Sequence, residues 1–551
     1  MRRPLNPKVL LVNPRFGAES FWNYRETCRA VGARYVAAPL GLITVAALLP
    51  QEWVVRLVDR NVEPLGEDHL QWADLVMVGG MLSQQRDAKR IIALAHGHRK
   101  PVLMGGPDVT CSPAVYAEAD FRMLGEAEEI MGEFVAAWSA GATRGDITAR
   151  IFPDLTRSPV PRFDLLRLGD YMHVGVQFSR GCPFQCEFCN VIELNGRVCR
   201  CKTPAQMLGE LDALHALGYR GHVDFVDDNL IGNRKAVRVL LAELGDWLRR
   251  RGHPFEFSSE ASLNLADDDE LLKALREAGF FALFLGIETP DPATLIRTRK
   301  LQNAGRDIAA SIRRINRAGM FVNAGFIVGF DAEADSVAQA MIDCIEEAAI
   351  PVCMVGLLYA LPNTQLSRRL AAEGRLHVDS DRVATDSDGD QCTTGLNFRT
   401  LRPRREILDD YRTILRRIYE PSAFFGRVRR ASEALDLRRD PRRHSLRSIW
   451  RDLRAFARIS GQIGLIDRQA RYPYWRVLAS CLVRNPRAIR TVVSLAALYL
   501  HIRPFTQFMD ARLAGQIESA DEMELPACRP PAVALEEQVA GAAAVSVGVP
   551  D

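Results

Sequence analysis

The chain has 551 residues, of which 48% are hydrophobic and 25% charged, and its formal net charge is +3. This composition excludes an intrinsically disordered chain, and the length predicts more than one domain with a sizeable buried core. The first residues lead into a strand-like run without a signal peptide. We therefore expect a cytoplasmic protein whose 12 cysteines are thiols or metal ligands rather than disulfides.

Residues 8–145 alternate short apolar runs with helix-like segments. Each run has the length of a strand and is bounded by turn residues. The runs cover residues 9–13, 54–59, 75–80 and 101–107. This pattern predicts an α/β domain over residues 1–145, with a Rossmann-like, doubly wound parallel sheet that binds ligands at the carboxyl ends of its strands. The residues at such ends include Asn13, Asp59, Gly105 and Gly106.

A second series of strands and helices follows a proline-containing linker at residues 146–170. Its strand-like runs cover residues 172–178, 223–228, 255–260, 281–288, 322–329 and 352–358. Helix-like segments separate the runs, and the first of them, 203–217, begins with the start signal Thr203-Pro204. This alternation predicts a partial (β/α)6 TIM barrel over residues 171–375, with its ligands at the carboxyl ends of the strands.

Three cysteines directly follow the first strand of the predicted barrel, in the string Gly181-Cys-Pro-Phe-Gln-Cys-Glu-Phe-Cys189. A [4Fe–4S] cluster normally has four thiolate ligands, so Cys182, Cys186 and Cys189 would leave one iron open. A zinc site is the alternative, because thiolate clusters also bind zinc. Cys199 and Cys201 lie close behind, but their one-residue spacing makes them unsuitable as further ligands.

The C-terminal part changes to helices that are rich in arginine and leucine, which predicts an α-helical domain over residues 376–515. Residues 401–515 contain 25 arginines, no lysine and 10 acidic residues. Such a surplus attracts phosphates, acidic lipids or nucleic acid, although a solvated set of helices also explains it. The apolar run at 491–500 is too short to span a membrane. We expect a disordered tail over residues 516–551.

The cysteine motif resembles that of the radical S-adenosylmethionine (SAM) superfamily, in which the open iron binds the amino and carboxylate groups of SAM. The resemblance implies that Phe188 lies against the adenine, with Ile327 of a G-x-I-x-G element packed beside it. Lys300 could neutralise the SAM carboxylate or cap a helix, and the sequence does not separate these roles. The polar residues at barrel strand ends are the further expected SAM ligands: Asp227, Asp228, Glu260, Ser262 and Glu288.

Residues 1–145 resemble the cobalamin-binding domain that precedes the radical SAM core in one large class. The resemblance implies that cobalamin contacts the strand-end residues Asn13, Asp59, Gly105 and Gly106, together with Ser83. Many cobalamin domains carry a D-x-H-x-x-G motif whose histidine coordinates cobalt. This chain has Asp59-Arg-Asn61 instead, which implies a cobalt without a protein imidazole on its lower face.

Residues 225–233 and 326–331 look most like the subgroup that includes the hopanoid C-2 methylases. The resemblance implies radical methylation of an unactivated carbon in a small apolar substrate, such as a lipid or a polycyclic compound. Methylcobalamin would donate the methyl group. The alternative is a cyclisation or ring rearrangement without methyl transfer. We further expect a reducing partner such as flavodoxin or ferredoxin, peripheral contact with the inner face of the membrane, and no nucleic acid.

Overall fold

A computed structural model of the chain describes residues 4, 6–17, 20–333, 335–377, 392–393, 395–437 and 446–520. The strands are β1 (Lys8–Asn13), β2 (Tyr35–Ala37), β3 (Val54–Asp59), β4 (Leu75–Gly79), β5 (Val102–Gly105), β6 (Phe121–Leu124), β7 (Gly145–Thr148), β8 (Tyr171–Val176), β9 (Ser179–Arg180), β10 (Arg200–Cys201), β11 (Gly221–Phe225), β12 (Phe255–Ala261), β13 (Phe280–Glu288), β14 (Phe321–Val328) and β15 (Cys353–Leu357).

The helices alternate with these strands and then continue alone to the end of the described chain. They are α1 (Arg25–Val31), α2 (Leu40–Leu48), α3 (Glu67–Trp72), α4 (Gln85–Gly97), α5 (Pro107–Cys111), α6 (Ala127–Ser139), α7 (Val191–Leu194), α8 (Pro204–Ala216), α9 (Arg234–Arg251), α10 (Asp269–Glu277), α11 (Pro292–Arg297), α12 (Ile308–Arg317), α13 (Ala338–Glu347), α14 (Gln365–Ala372), α15 (Arg404–Ile418), α16 (Pro421–Ala434), α17 (Leu446–Gly461), α18 (Arg471–Arg484) and α19 (Ile489–Ala520).

The first sheet is parallel and has the strand order β3-β1-β4-β5-β6-β7. Both of its faces are buried, as expected for a parallel sheet between two layers of helices. Along β1, Leu10 and Val12 pack in the core that includes α4, whereas Val9 and Leu11 pack in the core that includes α6. The predicted doubly wound sheet is therefore confirmed. Its order reverses at β1, between β3 and β4, and such a reversal opens a ligand-binding crevice.

The second sheet is also parallel and has the order β15-β14-β13-β12-β11-β8-β2. The strands from β8 onward are those of the predicted partial barrel, which is confirmed. β2 was not predicted: it comes from the N-terminal part of the chain and pairs with β8, where Tyr35 lies opposite Tyr171 and Ala37 opposite His173. With only three residues, β2 has no detectable period of its own, and its place depends on the barrel edge.

The helices α15 and α16 pack against the barrel, and α17, α18 and α19 pack on them, on α1 and on one another, which confirms the predicted α-helical C-terminal region. The Tyr411 hydroxyl of α15 donates to the carbonyl of Val355, and the fully buried Arg427 of α16 donates to the carbonyls of Ile350 and Ile418 and pairs with Glu346. Part of the arginine surplus is therefore structural. No helix in the described part of the chain is both long and apolar enough to cross a bilayer.

Element ends differ in two places from the ranges expected from the sequence. β7 begins at Gly145 and pairs with β6, so the first sheet continues into the segment expected to be a linker. α19 continues through Ala520, and the helix therefore includes the first residues of the expected disordered tail. The remainder of that tail, residues 521–551, lies outside the described residues.

Candidate active site

The cysteine loop lies between the short antiparallel strands β9 and β10, directly above β8. It begins at Gly181, whose φ of +98° suits glycine and whose position leaves no room for a Cβ atom: that atom would lie 2.6 Å from the carbonyl oxygen of Val198. The amide of Cys182 donates to the carbonyl of Gly196. Cys186 is buried, and Cys182 and Cys189 are half-buried.

Asp227 and Asp228, which follow β11, hold this loop in place. Asp227 is buried and accepts hydrogen bonds from the amides of Phe178 and Ser179 and from the Ser179 hydroxyl. Burial raises its pKa to about 7, although these hydrogen bonds oppose the shift. Asp228 accepts from the amide of Gly181 at 2.8 Å and from the side chain of Asn195 at 2.9 Å. Their predicted contact with SAM stays a prediction.

The loop faces an ion pair that neither the spacing nor the composition indicated. Lys300 Nζ lies 2.7 Å from Glu288 Oε1, and both side chains are largely buried. Although burial alone lowers the pKa of Lys300, the neighbouring charges of Glu288 and Cys186 raise it above its usual range. Glu288 has a φ of +71°, a backbone conformation that is uncommon for a non-glycine residue and that concentrates at functional sites.

The three cysteines have the donor chemistry of a [4Fe–4S] site. Burial raises the pKa of each thiol, while the positive charge of Lys300 lowers it, so the thiolates need a metal to form fully. Gln302 Nε2 lies 3.6 Å from Cys186 Sγ and can donate to a thiolate there. No three His, Cys, Asp or Glu side chains of the described residues converge on one metal ion. A cubane does not require such convergence, because each cysteine binds a different iron.

Of the other residues predicted to contact SAM, Phe188 lies in the cysteine loop, and Glu260, Ser262 and Ile327 lie on the barrel strands or directly after them. Phe188 is half-buried, with its ring centroid 5.6 Å from that of Phe330, and Ile327 is half-buried in β14. Ser262 is buried and donates to Asn264 Oδ1. Glu260 alternates with buried residues of β12 and so faces the barrel interior. Although its side chain is accessible to solvent in the open barrel, the surrounding protein and the nearby charges of three aspartates raise its pKa to about 8.

A polar cluster lines the same interior and was missed in the sequence. His222 Nε2 lies 2.6 Å from the Ser258 hydroxyl, which in turn donates to Asp224. The ring of His173 lies 5.0 Å from that of His222, and neither of its nitrogens has a hydrogen-bond partner among the described residues. Burial and the charge of His222 lower the pKa of His173 to about 4. The sequence signal that could have revealed this cluster is the alternation of polar with buried residues, as His222 and Asp224 show in β11 and Ser258 shows in β12.

At the crevice of the first sheet, the structure brings together three of the predicted cobalamin residues and one unpredicted glutamine. Asn13 Nδ2 donates to Asp59 Oδ1 at 3.0 Å, and both side chains are buried. Gln84 Nε2 donates to the carbonyl of Pro14 and reaches Asn13 Oδ1 at 3.3 Å. Gly106, on the neighbouring strand end, has a φ of +100° and approaches Gly80 so closely that a Cβ atom would lie 2.9 Å from its carbonyl oxygen.

Ser83 and Gly105 flank this group. Ser83 is half-buried in the turn after β4, directly before the buried Gln84, and Gly105 ends β5 with its carbonyl facing the amide of Gly80. Because glycines carry no side chain, the backbone at these strand ends is accessible to a bulky ligand, which suits the predicted corrin ring.

Asn61 occupies the motif position of the cobalt-binding histidine, and its side chain forms hydrogen bonds with neighbouring residues. Its amide donates to Asp59 at 2.7 Å and to the carbonyl of Pro14, and its Oδ1 accepts from the amide of Phe16. Asn61 therefore fixes the loop after β1, and a cobalt without a protein imidazole on its lower face stays a prediction.

Ion pairs and hydrogen bonds join the first sheet and the segments that follow its strands to the barrel, at both the carboxyl end and the amino end of the barrel strands. Arg180, at the start of the cysteine loop, pairs with Glu126 at 2.6 Å and with Glu128 at 2.9 Å, just beyond β6. Tyr171 of β8 donates to Asp59 at 3.0 Å. Asn363, which follows β15, donates to the carbonyl of Cys111 after β5. The start of the cysteine loop is therefore held against the segment after β6, whereas Asp59 in the crevice contacts the first residue of β8.

Comparison with known proteins decides the family. The description "Radical SAM superfamily" matches residues 176–345, and "Domain of unknown function (DUF4070)" matches residues 364–514. The chain is 39% identical to the uncharacterized methyltransferase sll1242 of Synechocystis sp., over 96% of this chain and 99% of that protein. It is 35% identical to the hopanoid C-2 methylase of Rhodopseudomonas palustris, over 90% and 93%. The chain belongs to this radical SAM methyltransferase family.

Solved structures show the same fold at lower identity. The radical SAM methyltransferase TsrM of Kitasatospora setae, solved with cobalamin and a [4Fe–4S] cluster, superposes with a TM-score of 0.55 at 18% identity, covering 72% of this chain and 83% of TsrM. OxsB, solved with aqua-cobalamin and SAM, gives a TM-score of 0.59 at 14% identity, covering 94% and 84%. The family description and the relatives thereby confirm the predicted family and its enzyme class, and the solved structures confirm the fold. The individual ligand residues stay predictions.

Proposed function

We propose that this radical SAM methyltransferase adds a methyl group to an unactivated carbon of an apolar substrate, either a lipid or a polycyclic compound. The observation that supports the substrate class is the similarity to hopanoid C-2 methylase, which extends over 90% of the chain and includes the helical region beyond the barrel. Similarity over this length is not restricted to the cofactor-binding core, and it therefore includes the segments that would enclose the substrate.

In this proposal the residues of the cysteine loop and of the first crevice have separate tasks. When bound, the cofactors supply reductive cleavage of SAM and transfer of a methyl group. Cys182, Cys186 and Cys189 hold the cluster, Lys300 balances the negative charge beside it, and Phe188 contacts the adenine. Asn13, Asp59, Ser83, Gly105 and Gly106 hold cobalamin.

The apolar substrate would lie between these two sites, where aromatic side chains line the barrel opening. Trp22 is partly exposed and its ring centroid lies 6.1 Å from that of Phe284, a residue of β13. Such rings offer apolar contact area and exclude water from the reacting carbon. Glu260 and the cluster around His222 add hydrogen-bonding groups deeper in the barrel, which could orient a polar end of the substrate.

We also infer that electrons come from flavodoxin or ferredoxin, and that the enzyme reaches its substrate by peripheral contact with the inner face of the membrane. Both inferences follow from the chemistry of the reaction: cleavage of SAM consumes an electron, and a lipid substrate resides in the bilayer.

The test is an anaerobic assay of the cluster-loaded, cobalamin-loaded chain with a polycyclic lipid in detergent micelles. We expect a product heavier than the substrate by one CH2 unit, together with S-adenosylhomocysteine and 5′-deoxyadenosine. A product that has the same heavy atoms as the substrate, with at most some hydrogen removed, and that forms without S-adenosylhomocysteine would instead establish the cyclisation or rearrangement alternative. Joint replacement of the three motif cysteines by Ala should remove iron and SAM cleavage, whereas Cys344→Ala on α13 should retain both.

A further inference from the structure

The π-helical turn Gln462–Ile466, which follows α17, and the outer side of α18 carry large apolar side chains that no described part of the chain covers. Their exposed fractions are high for residues of these types. We call this set the α18 face: Leu465 (71%), Ile466 (76%), Tyr472 (72%), Trp475 (43%), Leu482 (60%) and Val483 (84%). Isolated exposed apolar residues are normal on a protein surface, but several large ones on one side of a helix and on the segment before it indicate an interaction site.

The helical positions show that α18 has a second apolar side, in addition to the one that packs in the core. At about 100° per residue, Tyr472, Trp475, Leu482 and Val483 fall within an arc of about 100°. The opposite side of the helix carries residues that are buried against the rest of the C-terminal domain: Tyr474, Val477, Leu478 and Cys481. Apart from Trp475, which contacts Gly464, the outward residues are therefore not needed for the packing of this helix.

Hydrogen bonds fix the backbone of this turn, and they therefore also fix the positions of its exposed residues Leu465 and Ile466. Trp475 Nε1 donates to the carbonyl of Gly464 at 3.0 Å, which brings the turn against α18. Ser460 and Tyr474 share a hydrogen bond of 2.8 Å. Asp467 accepts from the amides of Gln469 and Ala470 and pairs with Arg503 of α19 at 3.1 Å. Leu465 and Ile466 lie on this fixed turn and point away from the core.

Positive charge surrounds the apolar group. Between residues 464 and 487 the chain has five arginines, one aspartate and no lysine or glutamate. The aspartate is Asp467, whose charge is already matched by Arg503. Arg471 and Arg476 are exposed and flank the apolar arc, and the exposed Arg468 and Arg484 lie before α18 and at its last residue. A helix with an apolar side flanked by arginine, and with Trp and Tyr at its edge, is typical of elements that lie in the interface of an anionic membrane.

We propose that the α18 face docks on an anionic lipid bilayer, with Leu465 and Ile466 entering the acyl region and the arginines contacting lipid phosphates. This inference deepens the proposed membrane contact by naming the surface and the lipid charge. It rests on that part of the proposed function, but it does not depend on the carbon that is methylated or on the fate of the methyl group.

The experiment is sedimentation of the cluster-loaded full chain with vesicles of phosphatidylcholine alone or mixed with phosphatidylglycerol. We expect binding that requires phosphatidylglycerol and weakens as salt increases. The double variant Leu465→Glu and Ile466→Glu should lower the vesicle partition coefficient at least tenfold. The matched control is Leu94→Glu and Val239→Glu, which changes charge equally at exposed apolar sites elsewhere and should bind like the parent.

Folding and function are controlled in the same preparations. Iron content and SAM cleavage of the Leu465→Glu, Ile466→Glu variant should equal those of the parent, because both side chains are exposed. Absence of binding to anionic vesicles, or equal binding by the two double variants, would overturn the docking proposal. If the parent chain dimerises without lipid and the Leu465→Glu, Ile466→Glu variant is monomeric, the docking proposal is overturned, and the α18 face is instead an interface between two copies of the chain. The same variant is also assayed with substrate in detergent micelles, which needs no docking on a bilayer. Methylation there without vesicle binding means that only docking has failed, whereas no methylation by either the variant or the parent means that the proposed function is wrong.

Discussion

At the scale of single residues, Asp228 illustrates how a carboxylate outside the cysteine motif controls the motif's geometry. Its Oδ2 accepts from the amide of Gly181, one residue before Cys182, and from the side chain of Asn195 on the returning part of the loop. Without this acceptor, two donors in a half-buried loop lose their partner, which costs about 1–3 kcal/mol for each buried group left unsatisfied.

We therefore expect Asp228→Ala to bind less than half of the parent's iron after identical reconstitution, because the three thiols are no longer held in one arrangement. Asp228→Asn keeps one acceptor oxygen for Gly181 and should recover part of the iron. Iron and sulfide analysis measures both variants, and circular dichroism checks that they are folded. Parental iron content in Asp228→Ala would show that the cysteine loop does not need this support.

At the scale of elements, the end of β5 and the start of α5 depend on one glycine. Gly106 combines a φ of +100° with a ψ of −179°, a conformation available essentially only to glycine, and its α-carbon faces the backbone of Gly80. This close approach joins the ends of β4 and β5 at the predicted cobalamin crevice.

Gly106→Ala should destabilise the protein by about 1–3 kcal/mol, since the added Cβ meets the Gly80 carbonyl and the backbone conformation is strained. It should also weaken cobalamin binding if the crevice is the cobalamin site. Gly132→Ala in α6 is the matched control, because nothing lies within 4 Å of its Cβ position, and alanine is favoured by about 0.5–1 kcal/mol inside a helix. Chemical unfolding compares the two, and equal midpoints would contradict the assigned strain.

At the scale of the whole molecule, the N-terminal segment contributes residues both to the cores of the first sheet and to the core of the barrel and the C-terminal helices. The first sheet has its own core, yet Phe21, Ala30 and Ile43 are buried in the core shared by the barrel and the C-terminal helices. Thr27 of α1 donates to the carbonyl of Ala497 in α19, and β2 forms the edge of the barrel sheet. The first sheet is therefore incomplete as an independent unit.

We expect a fragment of residues 1–170 to lack cooperative unfolding and to aggregate, because α1 and β2 would expose the apolar surface that the barrel and α19 cover. Thermal unfolding followed by circular dichroism, with the full chain as the reference, measures this. A monomeric fragment with a sharp transition and dispersed amide resonances would show instead that residues 20–38 are dispensable for the first sheet.

The sequence by itself determined the features whose signals are local. Cys182, Cys186 and Cys189 are close in the chain, and β1, β3, β4 and β5 are apolar runs that end in turn residues, so both could be predicted. The Thr203 helix start is of the same kind, because its hydroxyl caps a helix that begins one residue later.

Only the tertiary structure decided the features that depend on residues distant in the chain. β2 exists because the barrel edge offers unpaired backbone groups, and Gln84 joins the crevice because β1 and β4 are neighbours. Asp228 supports the cysteine loop only once β11 lies beside β8. The outward apolar side of α18 is also a tertiary fact, since periodicity shows that a helix is apolar but not which of two apolar sides the rest of the molecule covers.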